Sequence, residues 1–197
     1  IQPWIDVVAH PDRDAWWQSR DPRPRYRSIK PAVMVVGGWY DAEDLWGSLE
    51  TYRAMNSQTR GRNQVSLVMG PWGHGDWHRK DGDAHGDMRF GKKTSPDFVK
   101  RYEVPFFDYH LHQDKKAKLP PEAVVFFTGE NTWREYPKWP PARAKPINMY
   151  LSAQGKLTDK APTAAQASDK YVSNPLRPVP YYGTPSSRID RNFMRAD

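Results

Sequence analysis

The chain has 197 residues, 30 basic and 23 acidic side chains for a formal net charge of +7, 19 prolines, nine tryptophans and no cysteine. Without cysteine there is no disulfide framework, no thiolate metal site and no cysteine nucleophile, so the fold rests on its core. No run approaches the roughly 18 apolar residues of a membrane span, and the basic residues, interleaved with Asp and Pro in RDPRPRYR and DKKAK, form no contiguous stripe of the kind nucleic-acid binding uses.

In chain order, residues 1 to 30 are rich in Pro, Arg and Trp, with a short helix expected over Asp12 to Ser19 carrying Trp16 and Trp17. Nothing here reads as a basic region, apolar region and cleavage site, and Ile1 in place of Met points to a true start further upstream. Residues 31 to 38, PAVMVVGG, form a continuous apolar run closed by two glycines, the pattern of a strand buried on both faces in a parallel sheet. The segment Asp44 to Met55 places Leu45, Leu49, Tyr52 and Met55 at helical spacing, with acidic residues at its start where the helix dipole favours them. A second strand follows over Gln64 to Met69, and strand, helix and strand in this order predict a right-handed parallel crossover.

The next segment, GPWGHGDWHRKDGDAHGDMRFG, is too rich in Gly, Asp and His for a regular element, and loops of this length usually serve a site. A helix is expected over Asp97 to Gln113, burying Val99, Tyr102, Phe106, Phe107 and Leu111, with a kink at Pro105. Lys115 to Pro121 reads as a linker. Beyond it the texture becomes all-β: strands are expected over 122–129 and 147–152, separated by TWREYPKWPPARAKP, with one more near Tyr171.

Ligands in open α/β sheets bind outside the carboxyl ends of the strands. Asp41 follows the first strand in GGWYDAED and His74 follows the second in GPWGHGDW. An aspartate followed one strand later by a histidine is the order of an α/β-hydrolase triad, whose serine comes earlier in the chain. In such a triad histidine is the general base, and the buried carboxylate holds its tautomer. Glu43 and Asp44, read from the residues alone, are helix caps and dipole partners.

The segments PAVMVVGGWYDAEDLWGSLETYRAM, LVMGPWGHGDW, VPFFDYHL and FFTGENTWREYPKWPP resemble the cocaine esterase and X-Pro dipeptidyl-peptidase family of serine hydrolases, and within it the α-amino-acid ester hydrolases. The resemblance implies that Asp41 is the triad carboxylate and His74 the triad base. It implies that Glu43 and Asp44, in the pattern D-x-E-D, belong to a carboxylate cluster that binds the substrate's α-ammonium, an arrangement that attracts a cation and penalises a neutral acyl group.

The fold so implied is the C-terminal part of an α/β-hydrolase domain followed by an all-β jelly roll, both incomplete. Residues 1–30 would end a helical cap, 31–118 belong to the hydrolase domain and 119–197 form part of the jelly roll, with RIDRNFMRAD resembling that domain's middle. No G-x-S-x-G elbow occurs in these residues, so nucleophile and oxyanion donors are expected on the remainder of its own polypeptide.

The activity expected is hydrolysis of α-amino-acid esters or amides, β-lactam side chains included, through an acyl-enzyme. The substrate is then a small molecule or short peptide with a free α-ammonium. An X-Pro dipeptidyl-peptidase or general carboxylesterase is the alternative within the family, and an inert β-sandwich binding fragment the alternative of another class. No cofactor, nucleic-acid partner or membrane association is expected; relatives imply a periplasmic or secreted bacterial protein, and the proline-rich arms suit a homo-oligomer. His74, His78 and His85 with Asp76, Asp81, Asp83 and Asp87 carry metal-ligand chemistry, but DGDAHGD departs from EF-hand spacing and no metal is expected. Trp39, Trp46, Trp72 and Trp77 read mainly as packing residues, with an aromatic acyl pocket as the other role open to them. His110 and His112 read as helix-end residues.

Overall fold

A computed structural model of the chain describes residues 1–59, 61, 64–163 and 170–177, which fall into two compact units, Ile1–Trp139 and Pro140–Asp197. The first unit opens with two helices, α1 (Gln2–Ala9) and α2 (Ala15–Arg20). The expected helix from Asp12 starts three residues later because Asp14 is its cap: the Asp14 carboxylate accepts from the backbone N–H of Trp16 at 2.9 Å and Trp17 at 3.4 Å.

The centre of the unit is the crossover read from the sequence. Strand β1 (Val33–Gly38) leads through helix α3 (Leu45–Thr59) to β2 (Val65–Gly70), and β1 pairs parallel with β2 from Val33 opposite Val65 to Gly38 opposite Gly70. Helix α3 extends past Met55 to Thr59, burying Tyr52, Ala54, Met55 and Thr59.

The strand expected over 122–129 in a separate β domain belongs to this same sheet, and so does the start of TWREYPKWPPARAKP, expected only to separate two strands. Strand β5 (Ala123–Phe127) runs parallel to β2, and β6 (Thr132–Tyr136) returns antiparallel on β5, for a sheet order of β1-β2-β5-β6. The expected boundary at residues 118/119 therefore moves to 139/140. An apolar run such as AVVFF reports burial on two faces and carries no mark of which strand it pairs with.

Side chains alternate across the sheet with period two. Leu67, Met69, Ala123 and Val125 pack with Tyr52 and Met55 of α3 on one face, while Val68 and Val124 pack with Trp72, Phe98 and Tyr102 on the other. All six residues of β2 are buried, whereas Val33 to Val36 of the edge strand β1 are only half-buried.

Between β2 and the next long helical segment, the expected loop contains a small hairpin, β3 (Ala84–His85) with β4 (Met88–Arg89). The helical segment then runs from α4 (Thr94–Phe98) through a π turn (Val99–Glu103) to α5 (Val104–His110). The distortion at Pro105 is the widened turn just before it. Proline lacks the N–H for residue 101 and its ring crowds that carbonyl, and a π turn relieves both.

In the second unit, β7 (Tyr150–Ser152) and β8 (Lys156–Thr158) form an antiparallel hairpin. Residues 170–174, where a strand was expected near Tyr171, are irregular. The closing RIDRNFMRAD lies outside the described residues.

Candidate active site

The two parallel strands end side by side, and their turns are stitched together. Trp39 donates its backbone N–H to the Gly70 carbonyl at 2.9 Å and Tyr40 donates to the Trp72 carbonyl at 3.0 Å. The approach is close enough that a Cβ on Gly38 would stand 2.0 Å from the Trp72 carbonyl oxygen, so the position demands glycine. Gly75, at φ +69°, turns the chain sharply after His74 in the left-handed region that L side chains avoid.

This stitching brings Asp41 and His74 together. His74 Nδ1 lies 3.0 Å from Asp41 Oδ2 and 3.2 Å from Oδ1. Asp41 is buried, at 4% exposure, and its Oδ1 also accepts from the backbone N–H groups of Glu43 at 2.8 Å and Asp44 at 3.0 Å. Burial pushes the Asp41 carboxyl pKa up, but the N–H donors of Asp44 and Glu43, together with His74, outweigh it and hold the group below its ordinary value. An anion so held fixes Nδ1 of His74 as the donor nitrogen and leaves Nε2 as the basic one. The His74 side chain is 42% exposed, whereas the Asp41 carboxylate it meets is buried.

Of the acidic pair, Glu43 reaches the imidazole: its Oε2 is 3.8 Å from His74 Nε2. Asp44 caps α3, its Oδ1 accepting from the Gly47 N–H at 3.0 Å and its carbonyl accepting from the Ser48 N–H at 3.3 Å.

The tryptophans divide. Trp72 is buried at 1% exposure, donates Nε1–H to Thr94 Oγ1 at 2.9 Å, and packs against Trp77. Trp39 donates Nε1–H to the Phe126 carbonyl at 2.9 Å and lines a small cleft at the end of β5 with Phe127 and Trp139. Trp46 is exposed, with Arg23 near its face.

The His and Asp residues of the long loop are dispersed. His78 meets Glu103 at 2.9 Å, Asp76 pairs with Lys80, Asp81 with Lys93, and His85 stacks on Tyr40. Among the described residues no group of three or more His, Asp or Glu is arranged to hold a metal ion. His110 ends α5 and meets Gln64 Oε1 at 3.2 Å, and His112 just beyond meets Asp108 at 3.0 Å. Tyr40 escaped the sequence reading; its one signal is its place directly before the candidate aspartate.

The parallel-containing sheet, with an acid and a histidine on adjacent turns at its carboxyl ends, defines a mixed α/β protein. Residues 2–76 match the family model of the X-Pro dipeptidyl-peptidases (S15 family). The chain is 27% identical over 194 residues to the cocaine esterase of Rhodococcus sp. (strain MB1 Bresler), covering 92% of this chain and 32% of that protein. Among solved structures it is similar to an aminopeptidase from the marine sediment archaeon Thaumarchaeota archaeon, with a TM-score of 0.82, 32% identity, and coverage of 93% of this chain and 30% of that one. It is also similar to an α-amino acid ester hydrolase, with a TM-score of 0.77, 34% identity, and coverage of 90% and 30%. These similarities support the cocaine esterase and X-Pro dipeptidyl-peptidase family for the chain, which spans about a third of the length of the relatives it matches.

Proposed function

We propose that these residues supply the Asp and His of a serine hydrolase that cleaves α-amino-acid esters or amides through an acyl-enzyme. The observation that carries this reading is the buried, doubly N–H-bonded Asp41 carboxylate holding His74 Nδ1 at the carboxyl end of the sheet. A serine on the remainder of the polypeptide attacks the acyl carbon, and His74 Nε2 takes its proton and passes it to the leaving group. Water then attacks the acyl-enzyme by the same relay, while Asp41 stabilises the imidazolium formed in each half.

In this reading Glu43 and Asp44 bind the substrate's α-ammonium. The nearness of Glu43 to Nε2 supports it, since an α-ammonium held there is two bonds from the carbonyl carbon that a serine beside Nε2 attacks. A capping carboxylate keeps its negative charge, so the Asp44 cap is compatible with the same role. The edge strand β1, which has a strand partner on only one side among the described residues, supports a sheet continued by the nucleophile-bearing part of the polypeptide. The jelly roll, the exchange of proline-rich arms in a homo-oligomer and a periplasmic or secreted location belong to this same proposal.

One observation favours a second reading within the family. Asp44 is engaged as the cap of α3, the role the acidic pair takes if the protein is a dipeptidyl-peptidase or general esterase.

The deciding experiment compares kcat/KM of the nucleophile-bearing protein on phenylglycine methyl ester and phenylacetic acid methyl ester, which differ only in the α-amino group. A preference of about a hundredfold for the amino ester, worth about 2.7 kcal/mol, is the expected result. Equal rates would return Glu43 and Asp44 to helix capping.

A further inference from the structure

The residue directly before Asp41 joins three pieces of the structure. The backbone N–H of Tyr40 holds the Trp72 carbonyl in the segment leading to His74. Its ring lies flat on His85, with centroids 4.7 Å apart and planes 12° from parallel, and its hydroxyl meets Met88 Sδ at 3.3 Å. Both contacts come from the β3–β4 hairpin.

That hairpin is itself anchored to the sheet. Phe90, at 2% exposure, packs edge-on against Phe126 of β5, and Asn131 in the β5–β6 turn donates to the Arg89 carbonyl at 3.1 Å. His85 is buried at 5%. A continuous packed path therefore runs from β5 through the hairpin to Tyr40.

The orientation of the Asp41 carboxylate depends on this anchor. Two of its hydrogen bonds come from the N–H groups of Glu43 and Asp44 in its own turn, so any rotation of the turn moves the carboxylate relative to His74 Nδ1. The residues after Asp41 lead into α3, and the residue before it is the one tied to the His74 segment. Reactive geometry of this kind survives only when its supporting shell is locked by packing.

We propose that Tyr40, clamped by the flat stack of His85, is a positioning residue that sets the Asp41–His74 pair and the tautomer of His74. The hairpin in the long loop is thereby a brace for the site. The proposal rests on the reading of Asp41 and His74 as the acid and base of the hydrolase, and its test reads the imidazole itself, with no turnover required.

The test is nitrogen NMR of the nucleophile-bearing protein with 15N-labelled histidine rings, comparing wild type with His85→Ala, His85→Leu, His85→Phe and Phe106→Ala. Leucine fills the volume of His85 without a flat face, and keeps the comparison usable if the alanine variant does not fold. Phe106→Ala opens the packing of α5 and serves as the control for general loosening.

Wild-type His74 is expected in the Nδ1–H tautomer. Loss of the stack in His85→Ala or His85→Leu is expected to cut that population about twofold or more, because a neutral imidazole released from its acceptor no longer has its tautomer fixed. His85→Phe is expected to restore it, and Phe106→Ala to leave it at the wild-type level. An unchanged tautomer in His85→Leu, or an equal change in Phe106→Ala, would overturn the proposal. A pair that Tyr40 orders but that catalyses nothing would pass this test and fail the ester assay, so the two readings fail separately.

Discussion

Glu43 Oε2 stands 3.8 Å from His74 Nε2, on the far side of the imidazole from Asp41. The ring is thus flanked by a buried carboxylate on one nitrogen and a half-exposed one near the other. The inner carboxylate is fixed by backbone N–H groups and has the geometry to orient the ring. The outer one meets solvent and whatever enters it.

Replacing His74 by Ala in the nucleophile-bearing protein is expected to lower kcat by about 10²- to 10⁴-fold, the usual contribution of a general base. Because the side chain is 42% exposed, the thermal midpoint is expected to move little. Steady-state ester hydrolysis with a parallel melting curve checks both; retention of activity to within about tenfold removes His74 from the base role.

Substitutions at the acidic pair separate charge from capping. Glu43→Gln is expected to raise KM for phenylglycine methyl ester and leave the phenylacetic ester unaffected, the signature of lost binding. Asp44→Asn keeps an N-cap and removes a charge, whereas Asp44→Ala removes both at a cost of about 1 kcal/mol. If Asp44→Asn leaves KM unchanged while Asp44→Ala lowers the urea midpoint, Asp44 acts on the helix alone.

The low Asp41 pKa predicts a pH dependence of stability. Its folded value lies below the ordinary carboxylate value of 3.8, so the ionised form stabilises the fold above that value. The stabilisation disappears as pH falls through the folded value. Urea unfolding of wild type and Asp41→Asn is expected to show the wild-type advantage at neutral pH shrinking in acid. A constant gap across that range would show that Asp41 ionisation is not linked to folding.

At the alkaline end, Tyr52 and Tyr102 carry the opposite sign. Burial pushes both phenols above their ordinary value of 10.0, reinforced by Glu122 beside Tyr52 and Glu135 beside Tyr102. Their neutral forms stabilise the fold below about pH 10, and the contribution is lost as pH rises further. Tyr52 donates to Glu122 at 2.6 Å and accepts from the Trp139 N–H at 3.1 Å. Tyr52→Phe is therefore expected to cost about 1–3 kcal/mol by leaving those partners unmatched. Equilibrium unfolding at pH 8 measures it, and a loss below about 0.5 kcal/mol would mean that water replaces the hydroxyl.

The sequence by itself determined the local elements. PAVMVVGG and QVSLVM are apolar throughout, and LWGSLETYRAM has helical spacing, so strand, helix and strand followed from periodicity. The position of Asp41 and His74 just beyond those strands followed from the same reading, whereas Glu43 and Asp44 were singled out only by the family resemblance carried by D-x-E-D; their residue types alone read as helix caps.

What only the tertiary structure decided is which elements meet. Strand β5 lies beside β2 although the long loop, a helical segment and a linker separate them, and neither AVVFF nor TWREY carries a label for its neighbour. The same limit hid Tyr40: its stack on His85 joins residues 45 positions apart, through a hairpin too short to have a period. Local patterning is written in spacing along the chain, whereas pairing and stacking are settled by the packing of surfaces that the sequence keeps far apart.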